Sequence, residues 1–181
     1  MSDNEKWLPV GKTTESEGIA LATTCGARIP NDRPSAKLTE FDLRTYEVRR
    51  THARGWRSRK APCGGYNCFG LALASRRTCI RSSWVVTVCL LADGYEQVPF
   101  GDEPHEGDLV FYFRDLLLMH VGVLINRSPR LVLSKMGDTG GEEIHEVNAF
   151  DEGRSHAVFF TDRLVAPDGS SGFFRGIIRL R

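Results

Sequence analysis

The sequence predicts an α+β domain in which a helix precedes an antiparallel sheet. Two observations support this prediction. A glycine-rich segment at residues 64–70 leads into a short apolar stretch that is typical of a buried helix. From residue 108 onward, short apolar runs alternate with turn residues, which is typical of strands. Such strands form a sheet of their own, on which the helix packs. From the number of these runs, we expect a sheet of about five or six strands.

The N-terminal part of the chain differs in composition from the rest. Residues 1–40 are mostly polar and contain Gly, Pro, Ser and Thr, which predicts a partly ordered arm ahead of a single domain over residues 41–181. Between residues 44 and 60 the chain is strongly basic. This stretch is either a solvated surface or a contact for an anionic polymer. No known nucleic-acid module matches the sequence, so we do not expect nucleic acid as a partner.

The predicted helix begins at a cysteine. Asn67 is a favoured N-cap residue, and Cys68 follows it at the first helical position of a helix that we expect to extend to about Arg76. A free thiol has a pKa of about 8.5 and is mostly protonated at neutral pH. A reactive Cys68 therefore needs a group that takes its proton, and a nearby imidazole is the usual one.

A histidine stands at the beginning of a predicted strand. Residues 108–113 form the first strand, and His120 precedes the β-branched run 121–125 of the second. Residues 130–135 are the returning strand, and residues 142–147 form a further strand that contains His145. The sequence leaves residues 84–91 open between helix and strand. Two more strands are predicted at residues 157–160 and 176–180, with a turn region at 167–172 between them.

These segments resemble a known superfamily. Residues 67–72 (Asn-Cys-Phe-Gly-Leu-Ala), residues 107–111 (Gly-Asp-Leu-Val-Phe) and residues 120–123 (His-Val-Gly-Val) resemble the papain-like hydrolases of the NlpC type and their relatives, the cysteine, histidine-dependent amidohydrolases. The resemblance covers roughly residues 60–150. It implies a papain-like fold, with the cysteine helix packed on a small antiparallel sheet or half-barrel.

The resemblance also implies the catalytic groups. Cys68 is the expected nucleophile and His120 the expected base. The residue that orients His120 stays open between His145, whose strand alternation favours it, and Asp138. Tyr66 and Asn67 are the expected donors to the oxyanion.

The reaction implied by the resemblance is cleavage of an amide bond without a cofactor. Its first expected substrate is a peptidoglycan stem peptide, so that the protein would be a delivered toxin or a lysis-type enzyme, with an inhibitor or immunity protein as a possible partner. The alternatives are an effector-type protease or deamidase that acts on a protein, and a papain-like binding module without turnover.

Competing uses of the cysteines find little support in the sequence. The cysteines contain no Cys-x-x-Cys pair, which argues against a zinc site, and their odd number argues against a disulfide framework. No signal-peptide pattern and no apolar run of membrane-spanning length is visible. We therefore expect a cytoplasmic protein, or one that is exported by a route independent of a signal peptide.

Overall fold

The computed structural model describes residues 18–51, 55–150, 155–165 and 171–174. Its described part contains three α-helices, a seven-stranded antiparallel sheet and a separate two-stranded ribbon, which confirms the α+β class. The helices are α1 (Glu40–Thr51), α2 (Cys68–Leu73) and α3 (Ser83–Ala92). The strands are β1 (Arg57–Lys60), β2 (Glu96–Gln97), β3 (Leu109–Arg114), β4 (Leu117–Arg127), β5 (Arg130–Lys135), β6 (Glu142–Glu146), β7 (Ser155–Thr161), β8 (Arg163–Val165) and β9 (Ser171–Phe174).

The large sheet has the strand order β1-β6-β5-β4-β3-β7-β2. The hairpin of β4 and β5 lies at its centre, and β3 and β6 flank this hairpin. The sheet has more strands than predicted because β1, which the sequence indicates only as a basic stretch, pairs with the acidic strand β6, and the two-residue strand β2 pairs with β7. The predicted strand at residues 176–180 lies outside the described residues.

Several predicted boundaries change in the structure. His120, predicted at the start of a strand, lies inside β4, because the chain already turns at Asp115 and Leu116, where φ is positive. The cysteine helix ends at Leu73 rather than near Arg76, because Ser75 and Arg76 have positive φ values of 49° and 65°. These values lie in the left-handed region, which an α-helix does not contain. Residues 84–91, which the sequence left open, belong to helix α3, whose N-cap Ser82 accepts a hydrogen bond from the backbone NH of Val85.

The sheet separates two apolar cores. Successive side chains of a strand point to opposite faces. Accordingly, Phe111 packs in the first core with helices α2 and α3, while Val110 and Tyr112 pack in the second core. Leu21 and Ile29, from the predicted N-terminal arm, are buried in the first core. This division decides which predicted site residues share a face of the sheet.

No helix in the described part of the chain combines the length and the apolar character that crossing a bilayer requires. The five cysteines are all free thiols, and only Cys25 is exposed.

Candidate active site

Cys68 is the first residue of helix α2, which lies against strands β4 and β5. Its side chain is buried in the first core, beside Val121. Burial raises the pKa of the Cys68 thiol to about 11, although backbone groups of Val121 and Phe69 favour the thiolate. The thiol therefore lies against the peptide that joins His120 to Val121, and it is protonated at neutral pH.

His120 points to the other core. Its ring lies 5.7 Å from the ring of Tyr112 and 5.0 Å from that of Phe150, measured between centroids, and both of these residues belong to the second core. Its Nε2 atom is buried and has no hydrogen-bond partner among the described residues. Burial, together with the charge of His145, lowers the pKa of His120 to about 3.

Cys68 and His120 are thus neighbours through one peptide group, but their side chains share no hydrogen bond in the described structure. The pKa of the thiol is raised and that of the imidazole is lowered. The resting pair is therefore a neutral thiol and a neutral imidazole, and not the thiolate and imidazolium that a nucleophile activated in advance would show.

His145 has its own partners in the second core. Its Nε2 atom lies 2.7 Å from Oγ of Ser134, and its Nδ1 atom lies 2.8 Å from the carbonyl oxygen of Glu146. Because a carbonyl oxygen only accepts, Nδ1 carries the proton and Nε2 accepts from the Ser134 hydroxyl. Burial lowers the pKa of His145 to about 4, against the opposing effect of the Glu146 carbonyl. His145 thus shares no hydrogen bond with His120 among the described contacts, and its charge opposes protonation of His120 only where His145 is itself protonated.

Asp138, the second predicted orienting residue, lies on the Cys68 side. Its carboxylate forms an ion pair with Arg81, whose guanidinium also binds Asp32 with two contacts of 2.8 Å. The negative charge of Asp138 is one of the smaller effects that raise the pKa of Cys68. The structure therefore brings Asp138 near the nucleophile and does not pair it with His120.

The two predicted oxyanion donors are already hydrogen-bonded. Asn67 caps helix α2: its Oδ1 accepts from the NH of Gly70 at 3.0 Å, and its Nδ2 donates to the carbonyl of Ile80 at 2.8 Å. The hydroxyl of Tyr66 donates to Oε1 of Glu142 at 2.6 Å. These bonds fix the backbone immediately before Cys68, and the two side chains are free to bind an oxyanion only when the bonds open.

Sequence reasoning missed a charged group beside the nucleophile. Lys135, the last residue of β5, is fully buried at 0 % exposure on the face of α2. Its charge favours the Cys68 thiolate, and the Cys68 charge in turn favours the ammonium. The alternation of β5 was the available signal, because it places Lys135 on the face opposite to Ser134.

The comparisons with known proteins add no relative: no family model, no curated protein and no solved structure matches this chain. Within the described residues, no group of three or more His, Cys, Asp or Glu side chains is arranged to hold a metal ion. The interpretation of the site therefore depends on its own geometry.

The most reactive thiol at neutral pH is expected to be Cys25 and not Cys68. Cys25 is exposed, and a hydrogen bond between its sulfur and Thr23 Oγ1, 3.0 Å apart, lowers its pKa. Iodoacetamide at pH 7 should therefore modify Cys25 at least about tenfold faster than Cys68. Peptide mass spectrometry measures both rates, with Thr23→Val as the variant that slows Cys25. Equal rates at the two sites would contradict this assignment.

Proposed function

We propose that this protein is a cysteine hydrolase that cleaves an amide bond, with Cys68 as the nucleophile and His120 as the general base. One observation carries the proposal. The thiol lies against the peptide NH next to His120, and the buried Nε2 of this histidine has no partner among the described residues. An unsatisfied buried polar atom destabilises a fold by about 1–3 kcal/mol. A buried polar atom that is left without a partner is typical of a functional group.

The neutral resting pair is compatible with general-base catalysis. The Sγ atom of Cys68 attacks the carbonyl carbon while its proton passes to the imidazole of His120, whose side chain must first turn from the second core toward the thiol. The imidazolium then protonates the leaving amine, and a water molecule hydrolyses the thioester to release the acid and the free thiol. Hydrogen bonds between catalytic groups are often long in a free enzyme and form only in the substrate complex.

The remaining roles follow from the same arrangement. His145, held by Ser134, is the orienting residue that we favour, because its ring lies in the same core as that of His120, and both rings lie 5.0 Å from the ring of Phe150. Asp138 is the second choice. The oxyanion would be stabilised by the backbone NH of Cys68. Opening of the bonds that hold Tyr66 or Asn67 would add a side-chain donor.

The cysteine helix on an antiparallel sheet supports a papain-like arrangement, and the resemblance suggests the substrate. A peptidoglycan stem peptide is the first choice, which would make the protein a delivered toxin or a lysis-type enzyme with an inhibitor protein as a possible partner. Cleavage or deamidation of a protein is the second choice. The proposed reaction uses no cofactor.

Turnover of muropeptides, followed by mass spectrometry of the products, tests the proposal. We expect Cys68→Ala and His120→Gln each to lower kcat by at least about a thousandfold, since both groups act in the same step. Cys79→Ala is the matched control. Cys79 is also a buried thiol with a pKa raised, to about 12, by burial, but it has no role in the reaction. Full activity of Cys68→Ala would refute the assignment of the nucleophile.

A binding module without turnover is the second candidate. The observation that favours it is the raised pKa of the buried Cys68, because a core thiol of this kind is usually inert. This candidate predicts no product from muropeptides or proteins, even at enzyme concentrations equal to those of the substrate. It also predicts that a peptide with an electrophilic carbon does not modify Cys68, whether or not His120 is present.

A further inference from the structure

We propose that Lys135 is the positioning residue of the nucleophile: its ammonium fastens the segment before Cys68 to the central sheet. We call residues 61–67 the nucleophile loop and residues 136–141 the β5–β6 turn. This inference rests on the proposed role of Cys68, which it deepens by naming the group that holds the thiol in place.

The ammonium of Lys135 joins these two segments through carbonyl oxygens. In the nucleophile loop, Nζ donates to the carbonyl of Cys63 at 2.8 Å. In the β5–β6 turn, it lies 2.7 Å from the carbonyl of Gly140, 3.2 Å from that of Asp138 and 3.3 Å from that of Gly137. A backbone bond from the NH of Cys63 to the Gly140 carbonyl, at 3.3 Å, adds a second link between the same segments.

The same ammonium also contacts the residue that leads into the N-cap. Nζ of Lys135 lies 5.0 Å from the centre of the Tyr66 ring, at a distance that allows a cation–π interaction. Tyr66 in turn binds Glu142 through its hydroxyl, and Glu142 faces Lys135 across the β5–β6 pair. Tyr66 is thus held at its ring and at its hydroxyl, two residues before Cys68.

In the described part of the chain, the ammonium of Lys135 is buried without a carboxylate partner, which is unusual for a lysine with a purely structural role. All four acceptors of the ammonium are backbone carbonyls, so its positive charge is matched by dipoles and not by a bonded carboxylate. Burial of an ammonium that has no paired carboxylate is unfavourable. An apolar side chain would avoid this cost but would leave the four carbonyl oxygens without this donor. A positive charge at this position favours the Cys68 thiolate, which an apolar residue does not.

The test compares three variants of the full chain with the wild type. Lys135→Met removes both the charge and the hydrogen bonds, while Lys135→Gln keeps two donors and removes the charge. Lys60→Met is the matched control. Lys60 also contacts Tyr66, at 3.2 Å from its hydroxyl and 5.1 Å from its ring centre, but it is exposed and donates to none of the four carbonyls.

Two readouts are measured on each variant. Hydrogen exchange read by mass spectrometry should become faster in both the nucleophile loop and the β5–β6 turn of Lys135→Met, with less effect in Lys135→Gln. Lys60→Met should leave the exchange of the β5–β6 turn unchanged. Alkylation of Cys68 at pH 9 should slow by about two- to threefold in both Lys135 variants, because the loss of a nearby positive charge raises the pKa of the thiol. A merely structural lysine would not change the pH profile of Cys68.

Unchanged exchange and an unchanged Cys68 profile in a folded Lys135→Met variant would overturn the inference. So would global unfolding of both Lys135 variants while Lys60→Met stays folded, because the ammonium would then be required by the whole fold. Failure of the proposed function appears elsewhere, as full turnover by Cys68→Ala. The exchange readout does not depend on turnover, so the two failures are distinguishable.

Discussion

Lowering the pH from 7 to 4.5 is expected to destabilise this protein by about 5 kcal/mol through two buried histidines. His120 and His145 have folded-state pKa values of about 3 and about 4, both lowered primarily by burial. An unfolded histidine has a pKa of about 6.5. Between these values the unfolded chain binds more protons than the folded one, so stability falls as the pH decreases.

The size of this effect follows from the difference between the final pH and the pKa of histidine in the unfolded chain. Each pKa unit corresponds to about 1.36 kcal/mol, and pH 4.5 lies about two units below the unfolded value, so each histidine contributes a loss of about 2.7 kcal/mol. Domains are stable by about 5–15 kcal/mol in total. Acid unfolding should therefore begin well above the pH at which His120 is protonated in the folded state.

Chemical denaturation at pH 7 and at pH 4.5 measures the effect as a difference of two unfolding free energies. His120→Gln and His145→Gln should each reduce this difference by about 2.5 kcal/mol, because glutamine does not titrate. His156→Gln is the control, since His156 is exposed. Carboxylates contribute equally to all of these proteins and cancel in the comparison. An identical pH dependence in wild type and both variants would show that the imidazoles are not buried as described.

The sequence was most informative where one strand follows another with a clear turn. The residues of β5 were predicted with the boundaries that the structure has, because Pro129 and the turn after residue 135 limit the apolar run on both sides. Helix α3 was ambiguous for the opposite reason. Its β-branched residues favour a strand, and the packing of Val86 and Leu90 in the first core outweighs that preference.

Strand β1 shows a second limit of sequence reasoning. Its four residues, Arg57–Lys60, are all exposed and carry no apolar alternation. What holds them is pairing with β6, including the ion pair of Arg59 with Glu142. A basic edge strand next to an acidic one stays unrecognised from its own residues, because the pattern that indicates a strand is the burial of alternate side chains.

The faces of the sheet explain why the candidate site was predicted only in outline. The sequence predicts that Cys68 and His120 lie near each other, and the structure joins them through the His120–Val121 peptide. Alternation then sends His120 into the second core and leaves Lys135 as the cation on the side of the thiol. Which face a helix covers depends on long-range packing, and the local spacing of Cys and His residues does not contain that information.

The buried carboxylate of Glu142 is expected to be the most sensitive single position for stability near the site. Glu142 is 1 % exposed, and three groups bind it: the guanidinium groups of Arg59 and Arg76 and the hydroxyl of Tyr66. Despite the opposing effect of burial, hydrogen bonds led by Arg76 lower the pKa of Glu142 to about 2. The carboxylate is therefore charged at every pH at which the protein is folded.

Replacing Glu142 by Leu should lower the free energy of unfolding by about 2–3 kcal/mol, because it removes the shared acceptor of two guanidinium groups and leaves the buried hydroxyl of Tyr66 without its acceptor. Glu103→Leu is the matched control. Glu103 also pairs with an arginine, Arg130, at 3.1 Å, but the side chain of Glu103 is 70 % exposed, and such pairs contribute about 0–1 kcal/mol. Chemical denaturation at pH 7 measures both variants. Similar losses for the two would contradict the buried network.

The same network connects stability to the proposed chemistry. Without the Glu142 carboxylate, the hydroxyl of Tyr66 loses its acceptor at 2.6 Å. The Tyr66 ring is then held mainly by its contacts with Lys60 and Lys135. Glu142→Gln keeps an acceptor for Tyr66 and removes the charge. We therefore expect Glu142→Gln to lose stability but to retain more muropeptide turnover, per folded molecule, than Glu142→Leu. Equal activity of the two variants would mean that the position of Tyr66 does not matter to Cys68.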